Sequence, residues 1–592
     1  MATDMYPGKR LSYSSHLCTV RYHGPVQGTT GTWLGVEWDD ATRGKHSGSH
    51  QGTQYFTCVN PSPTSASFIR PARKSDPPRT FVKALKAKYA SEEEENADEY
   101  TEDPHVKVVF NVQAPQHQQE RKPVLFNGKP AEEIGFDKIR RQLAQLSELK
   151  IIILDGLRMH RPEARGIKWM QDGEKSDVKD ACPKAIELDL SRNLFEEWRE
   201  VAAICEQLPD LRSLRVDGTR FRDVSLTDAE QERCQKAFTG ISSLRLEDNL
   251  LPWADIAQLT HLFPSLTTFS ASSNLYTALT PHTPNLAIID LTLEDNLITS
   301  LSSIACLCKL PNLQRLILKS NKVAEIAGAD APAPLFPKTV REVDLSFNEI
   351  TTWGFIEQLV HVFPGLQSLR VSHNPLYQSL QAPDGRALTA DDGYMLTVAR
   401  LGQLKTLNHS PITEKERLNA ESYYLSMIAK EVQFAPENQR EQILKTHPRY
   451  EWLCEEYGEP DTQRSASKVN PNSLAARLLR IKFYLATSPS NVFETEIPMG
   501  STAYTTLGVV GKHFRIKPIE CKLIWETGDF MSVRKSATNI VDDDWDSEDS
   551  EAEMGMERVM REVEIVPGTR SIGTWIDGTE ATVRVEVQPE GV

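Results

Sequence analysis

The chain has 592 residues and a formal charge of −15, with 82 Asp and Glu against 67 Lys and Arg. That length exceeds one hydrophobic core and implies about three or four domains, and the acidic balance argues against a general nucleic-acid binder. Nine cysteines are scattered without paired zinc-ligand spacing, no signal-peptide core opens the chain, and no run approaches the ~20 apolar residues of a membrane span, so a soluble protein of a reducing, cytoplasmic compartment is expected.

Residues 8–72 form a glycine-punctuated unit. Its short runs Thr19–Tyr22, Trp33–Trp38, Tyr55–Cys58 and Phe68–Ile69 predict a small β-rich barrel of antiparallel strands. A loop reading GKHSGSH, Gly44 to His50, is followed by Tyr55 and Phe56. Glycines such as Gly44 and Gly48 let a loop run close to a bound peptide backbone, with Ser49 beside them. Lys45 and His46 can meet a carboxylate, and Trp33, Trp38, Tyr55 and Phe56 can wall an apolar groove. In so small a fold Trp38 and Phe56 serve equally well as core. The loop lacks the G-x-x-x-x-G-K-[ST] order of a phosphate cradle.

Residues 73–125 are expected to be a linker and entry segment: a basic helix at Arg79–Ala90, an acidic run at Glu92–Glu95, a strand at Val106–Phe110 and a Gln/His tract. Residues 126–410 are organised by one recurring phrase, as in IELDLSRNLF, LQRLILKSNKV and LQSLRVSHNPL. Its anchors, Asn193, Thr219, Asn249, Asn274, Asn296, Asn321, Asn348 and Asn374, fall 22 to 30 residues apart. In each phrase apolar residues alternate, which makes a short strand with one inward face. One repeat cannot bury that face but stacked neighbours can, so the period predicts a leucine-rich repeat solenoid with a parallel sheet and an inward asparagine ladder. The residues between the apolar pairs are expected on the concave face: Asp189, Arg215, Arg245, Ser270, Thr292, Ile317, Asp344 and Arg370, flanked by Glu247, Glu294, Arg315, Lys319 and Glu342. Asp137–Leu149 is the expected cap at the open end, Leu149–Leu154 the first strand, and Ile167–Pro183 an inserted loop.

Tyr394–Asn408 should close the solenoid with a helix and a last strand. The helical segment 411–457 opens on a capping box, Thr413 with Glu416, places Leu418, Leu425 and Ile428 on one face, and ends in a second helical piece at Asn438–Tyr457. A linker at 458–473 leads to a domain at 474–592 with strands at Leu478–Leu485, Val492–Ile497, Glu520–Trp525 and Ala581–Val587, and a helix at Tyr504–Phe514. This order suggests a small α/β roll, interrupted by an acidic insert at Val541–Glu553. No catalytic constellation, metal-ligand set or cofactor motif emerges, so neither an enzyme nor a cofactor is expected.

The run GTWLGVEWD, Gly31 to Asp39, with GKHSG at Gly44–Gly48 and Tyr55–Phe56, closely resembles the CAP-Gly domain. That family reads acidic-aromatic C-terminal tails such as that of α-tubulin. Its hallmark loop is Gly-Lys-Asn-Asp-Gly, and here His46 and Ser47 replace Asn and Asp. CAP-Gly, leucine-rich repeats and a C-terminal α/β roll in this order resemble the tubulin-folding cofactor E family, whose last domain is ubiquitin-like. The wording DKIR at 137–140, LGQLKTLN at 401–408, ESYY at 421–424 and HPRY at 447–450 supports the resemblance. It implies a protein that captures α-tubulin and promotes assembly or dissociation of the α/β-tubulin heterodimer with cofactors B, C and D, without nucleic acid or membrane as partners. It also implies a cytoplasmic, cytoskeleton-associated location. The alternative is a microtubule-associated CAP-Gly adaptor.

Overall fold

The computed structural model describes residues 5–89, 125–126, 129–130, 146–161, 177–458 apart from 330, 384 and 386, 478–534, and 556–587 apart from 577. The expected strand Val106–Phe110, nearly all of the linker 458–473, the acidic insert Val541–Glu553 and most of the expected cap Asp137–Leu149 lie outside the described residues. The chain divides into two compact units, Met1–Asn321 and Lys322–Val592.

The first unit opens with an antiparallel module. Strands β1 (Arg10–Tyr13), β2 (His16–Pro25) and β3 (Thr32–Trp38) are followed by a two-residue hairpin, β4 (Ser49–His50) with β5 (Thr53–Gln54), and by β6 (Ala66–Ile69); the main sheet runs β1-β2-β3-β6. Leu11, Tyr13, Cys18, Val20, Leu34, Val36, Trp38 and Ile69 form its core. The expected strand Tyr55–Cys58 is absent. The amides of Tyr55 and Phe56 both turn to the carbonyl of Gly48, at 3.0 and 3.5 Å, which takes this stretch out of any ladder.

Behind the module, three-residue strands from Ile151–Ile153 to Arg315–Ile317 pair in parallel and in register, setting Leu188, Leu214, Leu244, Phe269, Leu291 and Leu316 side by side. All six are buried. The anchor asparagines stack as a ladder that satisfies the turning backbone. Asn274 shows the pattern: its Oδ1 accepts from the amides of Asn249 and Leu250 at 2.9 Å each, and its Nδ2 donates to the carbonyls of Leu246 at 2.8 Å and Ser272 at 3.1 Å. The helix α1 (Phe81–Tyr89) packs at the start of the repeats. It buries Phe81, Ala84 and Leu85, and the strand before it, Arg79–Thr80, pairs with Met159–Arg161. The inserted loop expected at 167–183 is corrected in part: Asp177–Ala181 is a short helix with Val178 buried.

In the second unit Glu342–Asp344, Ser368–Arg370 and Thr406–Leu407 pair in parallel, and Ser410–Pro411 pairs antiparallel with the last of them. The helix Glu414–Phe434 starts at the expected capping box of Thr413 and Glu416. It buries Leu425 and Ile428, but Leu418 is 43% exposed and does not belong to that face. The helical piece expected at 438–457 is two helices, Arg440–Lys445 and Tyr450–Tyr457, parted at Pro448, whose ring cannot continue a helix.

The last domain is a five-stranded sheet in the order Ser488–Pro498, Leu478–Leu485, Glu580–Val587, Cys521–Arg534, Met556–Ile565. The strand at Met556–Ile565 had no counterpart in the sequence reading. The helix Ala503–Phe514 packs Ala503, Leu507 and Val510 against Leu479, Ile481, Phe483, Leu523, Val583 and Val585. The domain meets the helix Glu414–Phe434 through Lys415 with Glu564 at 2.9 Å and Arg570 with Glu416 at 3.1 Å. Among the described residues no helix is long and apolar enough to cross a membrane.

Candidate peptide groove

The groove forms on the face of β3 that turns away from the module core. Leu34, Val36 and Trp38 point inward, so Trp33 and Gly35 point the other way. Opposite Gly35 stand Tyr22 on β2 and Phe68 on β6. Gly35 has no side chain because Phe56 occupies the place of one: a Cβ there would lie 2.2 Å from Phe56 Cε1. Around Phe68 the rings gather, with Tyr55 at 5.5 Å, Phe56 at 5.8 Å, His46 stacked at 4.8 Å and His50 at 6.2 Å between centroids; Tyr22 meets Tyr55 at 5.4 Å.

The glycine-rich loop is held against β6. The amide of Lys45 donates to the carbonyl of Ala66 at 2.7 Å, and the amide of Ala66 donates to the carbonyl of His46 at 2.8 Å. Gly44 permits this approach, since a Cβ would stand 2.3 Å from the Ala66 carbonyl oxygen. Gly48 has φ +99°, and a Cβ there would strike the Phe56 carbonyl oxygen at 2.0 Å, so only glycine closes the loop. His46 Nδ1 accepts the Gly48 amide at 3.0 Å, which leaves Nε2 as the N–H of the neutral ring. Burial and the neighbouring His50 hold His46 below the ordinary histidine range. Lys45 is exposed and has no ion-pair partner among the described residues.

The expected site residues therefore divide. Gly44, Lys45, His46, Gly48, Ser49 and Tyr55 lie in or beside the groove, with Ser49 half-buried in β4, whereas Phe56 is 8% exposed and packs on Gly35 as the floor of the groove. Trp38 lies outside the groove: it is 5% exposed within the core, its ring edge-on to Tyr13 and its Nε1 donating to Ser67 Oγ at 3.0 Å. Trp33 lies on the groove face of β3, covered by the Arg70 guanidinium 3.7 Å from its ring centroid. Tyr22, Gly35, His50 and Phe68 were missed. A glycine inside a strand pattern was the available signal for Gly35, since it often marks the close approach of another group.

On the concave face, Arg215 and Arg315 are exposed and Asp189 and Arg245 half-buried. Arg245 pairs with Glu247 and lies 3.3 Å from Asp217, whose carboxyl burial pushes up to about 6. Ser270 and Ile317 are buried and present little surface. In the second unit Arg370 is half-buried, whereas Asp344 is fully buried beneath it at 2.8 Å, accepting also from the amide and hydroxyl of Ser346. Asp344 is thus a structural carboxylate and not a presented one.

Residues 7–74 match the family described as the CAP-Gly domain. The chain is 30% identical over 537 residues to tubulin-specific chaperone E of Homo sapiens, covering 88% of this chain and 92% of that protein. It is 29% identical over 539 residues to tubulin-specific chaperone E of Danio rerio, covering 89% and 93%. It is 27% identical over 488 residues to tubulin-folding cofactor E of Arabidopsis thaliana, covering 80% and 81%.

Proposed function

Because the chain belongs to the family of tubulin-specific chaperone E, also named tubulin-folding cofactor E, we propose that it is a tubulin chaperone that works by binding and not by covalent chemistry. The groove of the CAP-Gly module takes the acidic, aromatic-ending C-terminal tail of α-tubulin. The concave face of the repeats, through residues such as Asp189, Arg215 and Arg245, bears on the tubulin body. The C-terminal roll, whose strand order and packed helix support a ubiquitin-like reading, engages a partner among cofactors B, C and D. Together these contacts promote assembly or dissociation of the α/β-tubulin heterodimer in the cytoplasm, near the cytoskeleton.

The observation that carries this reading is the groove itself. A wall of Tyr22, Tyr55 and Phe68, over the buried Phe56, stands beside Lys45, which has no ion-pair partner among the described residues, and beside an imidazole N–H. An aromatic side chain fills such a wall, and carboxylates meet such a rim. The test replaces Lys45 by Glu in the full chain and compares intact tubulin with tubulin whose C-terminal tails have been removed by protease. Affinity for intact tubulin should fall about tenfold, and affinity for tail-less tubulin should not change. Equal losses for both would refute a tail-reading groove.

A further inference from the structure

The seam between the N-terminal module and the first repeats is built from buried charge that neither the groove nor the repeat lattice requires. Arg10, in β1, is 3% exposed. Its guanidinium holds Asp39, the residue after β3, through two hydrogen bonds of 2.6 Å, donates to Thr19 Oγ1 at 3.0 Å, and reaches the backbone carbonyl of Asn193 at 3.2 Å. Asn193 is a rung of the asparagine ladder: its Nδ2 donates to the carbonyls of Leu154 and Leu190 at 2.9 Å each. Three residues on, Glu196 accepts from the module at both oxygens, from the Arg10 amide at 3.0 Å and from the Tyr6 hydroxyl at 2.6 Å.

The flanks repeat the theme. Arg222 lies over the Tyr6 ring, 5.3 Å from its centroid, and pairs with Glu197 at 2.5 Å. Its methylenes fill the space beside Gly8, where a Cβ would meet Cδ at 2.7 Å. On the far side Asp76 accepts from Ser12 Oγ at 2.5 Å and from the amide of Ser15 at 2.7 Å, and lies 3.9 Å from Arg158. From there the chain runs directly into Arg79–Thr80 and α1, which packs at the start of the repeats. No free tether separates the module from the solenoid in this stretch.

A charged seam centred on a buried arginine tolerates little movement. Burial alone would raise the Asp39 carboxyl, but Arg10 holds it below its ordinary range. A buried ion is costly unless its partners are met, so a small slide of the module would leave Arg10 and Asp39 unmatched and break the half-buried Glu196 contacts. An apolar seam of equal area would permit rocking.

We propose that Arg10 and Glu196 are positioning residues: they fix the peptide groove in one orientation to the concave face of the repeats, so that the tail and the body of one tubulin molecule are gripped by a single rigid unit. This rests on the groove being a tail site. Two contacts on one rigid frame raise the effective concentration of the second contact far more than a flexible linker does, provided the spacing suits the partner.

The test uses the full chain with Glu196→Ala and the milder Tyr6→Phe, neither of which touches the groove. Affinities are measured for a synthetic peptide of the α-tubulin tail and for intact tubulin, alongside hydrogen exchange of the segment 5–13, which contains the Arg10 amide. For Glu196→Ala the expected result is faster exchange in that segment, unchanged affinity for the peptide, and about a tenfold loss for intact tubulin. Tyr6→Phe should show the same pattern with a smaller rise in exchange and a smaller loss for intact tubulin, and it carries the test if Glu196→Ala does not fold. Unchanged affinity for intact tubulin despite faster exchange would overturn the proposal. So would parallel losses for peptide and tubulin, which would place the effect in the groove. Failure of the wild-type chain to bind the peptide would instead overturn the tail-site reading, before any variant is compared.

Discussion

The groove has a floor that can be raised by one methyl group. Gly35→Ala places a Cβ 2.2 Å from Phe56 Cε1 and 2.8 Å from Cδ1, whereas carbon–carbon contacts settle at roughly 3.5–4.0 Å. The ring must retreat by more than an ångström. It cannot do so alone, because Phe56 is 8% exposed, packs edge-on against Phe68 and His46, and has its backbone fixed at Gly48. Overpacking of this kind costs about 1–3 kcal/mol, and the displaced ring enters the space a peptide side chain would fill. Gly35→Ala should therefore lower both the denaturation midpoint of the module and its affinity for an acidic peptide with an aromatic end. A double-mutant cycle with Phe56→Ala isolates the cause: with the ring gone, the methyl group should cost much less than it does alone. Costs that simply add would show that the ring does not rest on Gly35, and the groove as described would be wrong.

Two further outcomes follow from the same contacts. His46 is held below the ordinary histidine value of about 6.5, so its neutral form contributes stability that is complete above that pH and is lost as pH falls through the depressed value. His46→Asn keeps an acceptor for the Gly48 amide but does not titrate, so its melting temperature should fall less than the wild type's between pH 7 and about pH 5; parallel profiles would refute the assignment. Asn274→Ala strands the buried amides of Asn249 and Leu250 and should cost about 2–4 kcal/mol in urea unfolding of the repeats, whereas a cost near zero would mean that the ladder carries no load.

The solenoid was legible because its physics is local and repeated. Alternation names the inward residues, and each asparagine marks a turn, so no long-range information is needed. The loop chemistry of the module was legible for a similar reason, since Gly44 and Gly48 have no substitutes at their positions. What failed was the assignment of faces. Trp38 and Phe56 are both buried aromatic residues near glycines, yet Trp38 packs in the module core and Phe56 on the opposite face of β3, against Gly35. Tyr22 was missed because period-two alternation from Cys18 and Val20 points it into the core. The register shifts between Val20 and Tyr22, so that Val20 opposes Val36 while Tyr22 opposes Gly35. A bulge of one residue sends the ring to the other face, and nothing in the local sequence announces it. Asp344 misled for the opposite reason: it holds the same repeat position as Arg215 and Arg245, and only its cross-strand partner Arg370 and the nearby Ser346 decide that it is buried. The helix expected at Arg79–Ala90 is present as α1, and its packing role could have been read from Phe81, Ala84 and Leu85 at helical spacing on one face.

The β3 strand joins these observations into one mechanical argument. Gly35 on one face supports Phe56, Leu34, Val36 and Trp38 on the other face anchor the module, and Asp39 at the end of the strand grips Arg10 and, through it, the carbonyl of Asn193. A strand paired on both edges, to β2 and to β6, cannot slip by one residue without exchanging its faces. Groove, core and seam are therefore in fixed register with one another. The path from Gly35 to the repeats runs through one paired strand and the Arg10 contacts. If the groove takes a tail, as proposed, the fixed register would set the distance and direction from which that tail must come.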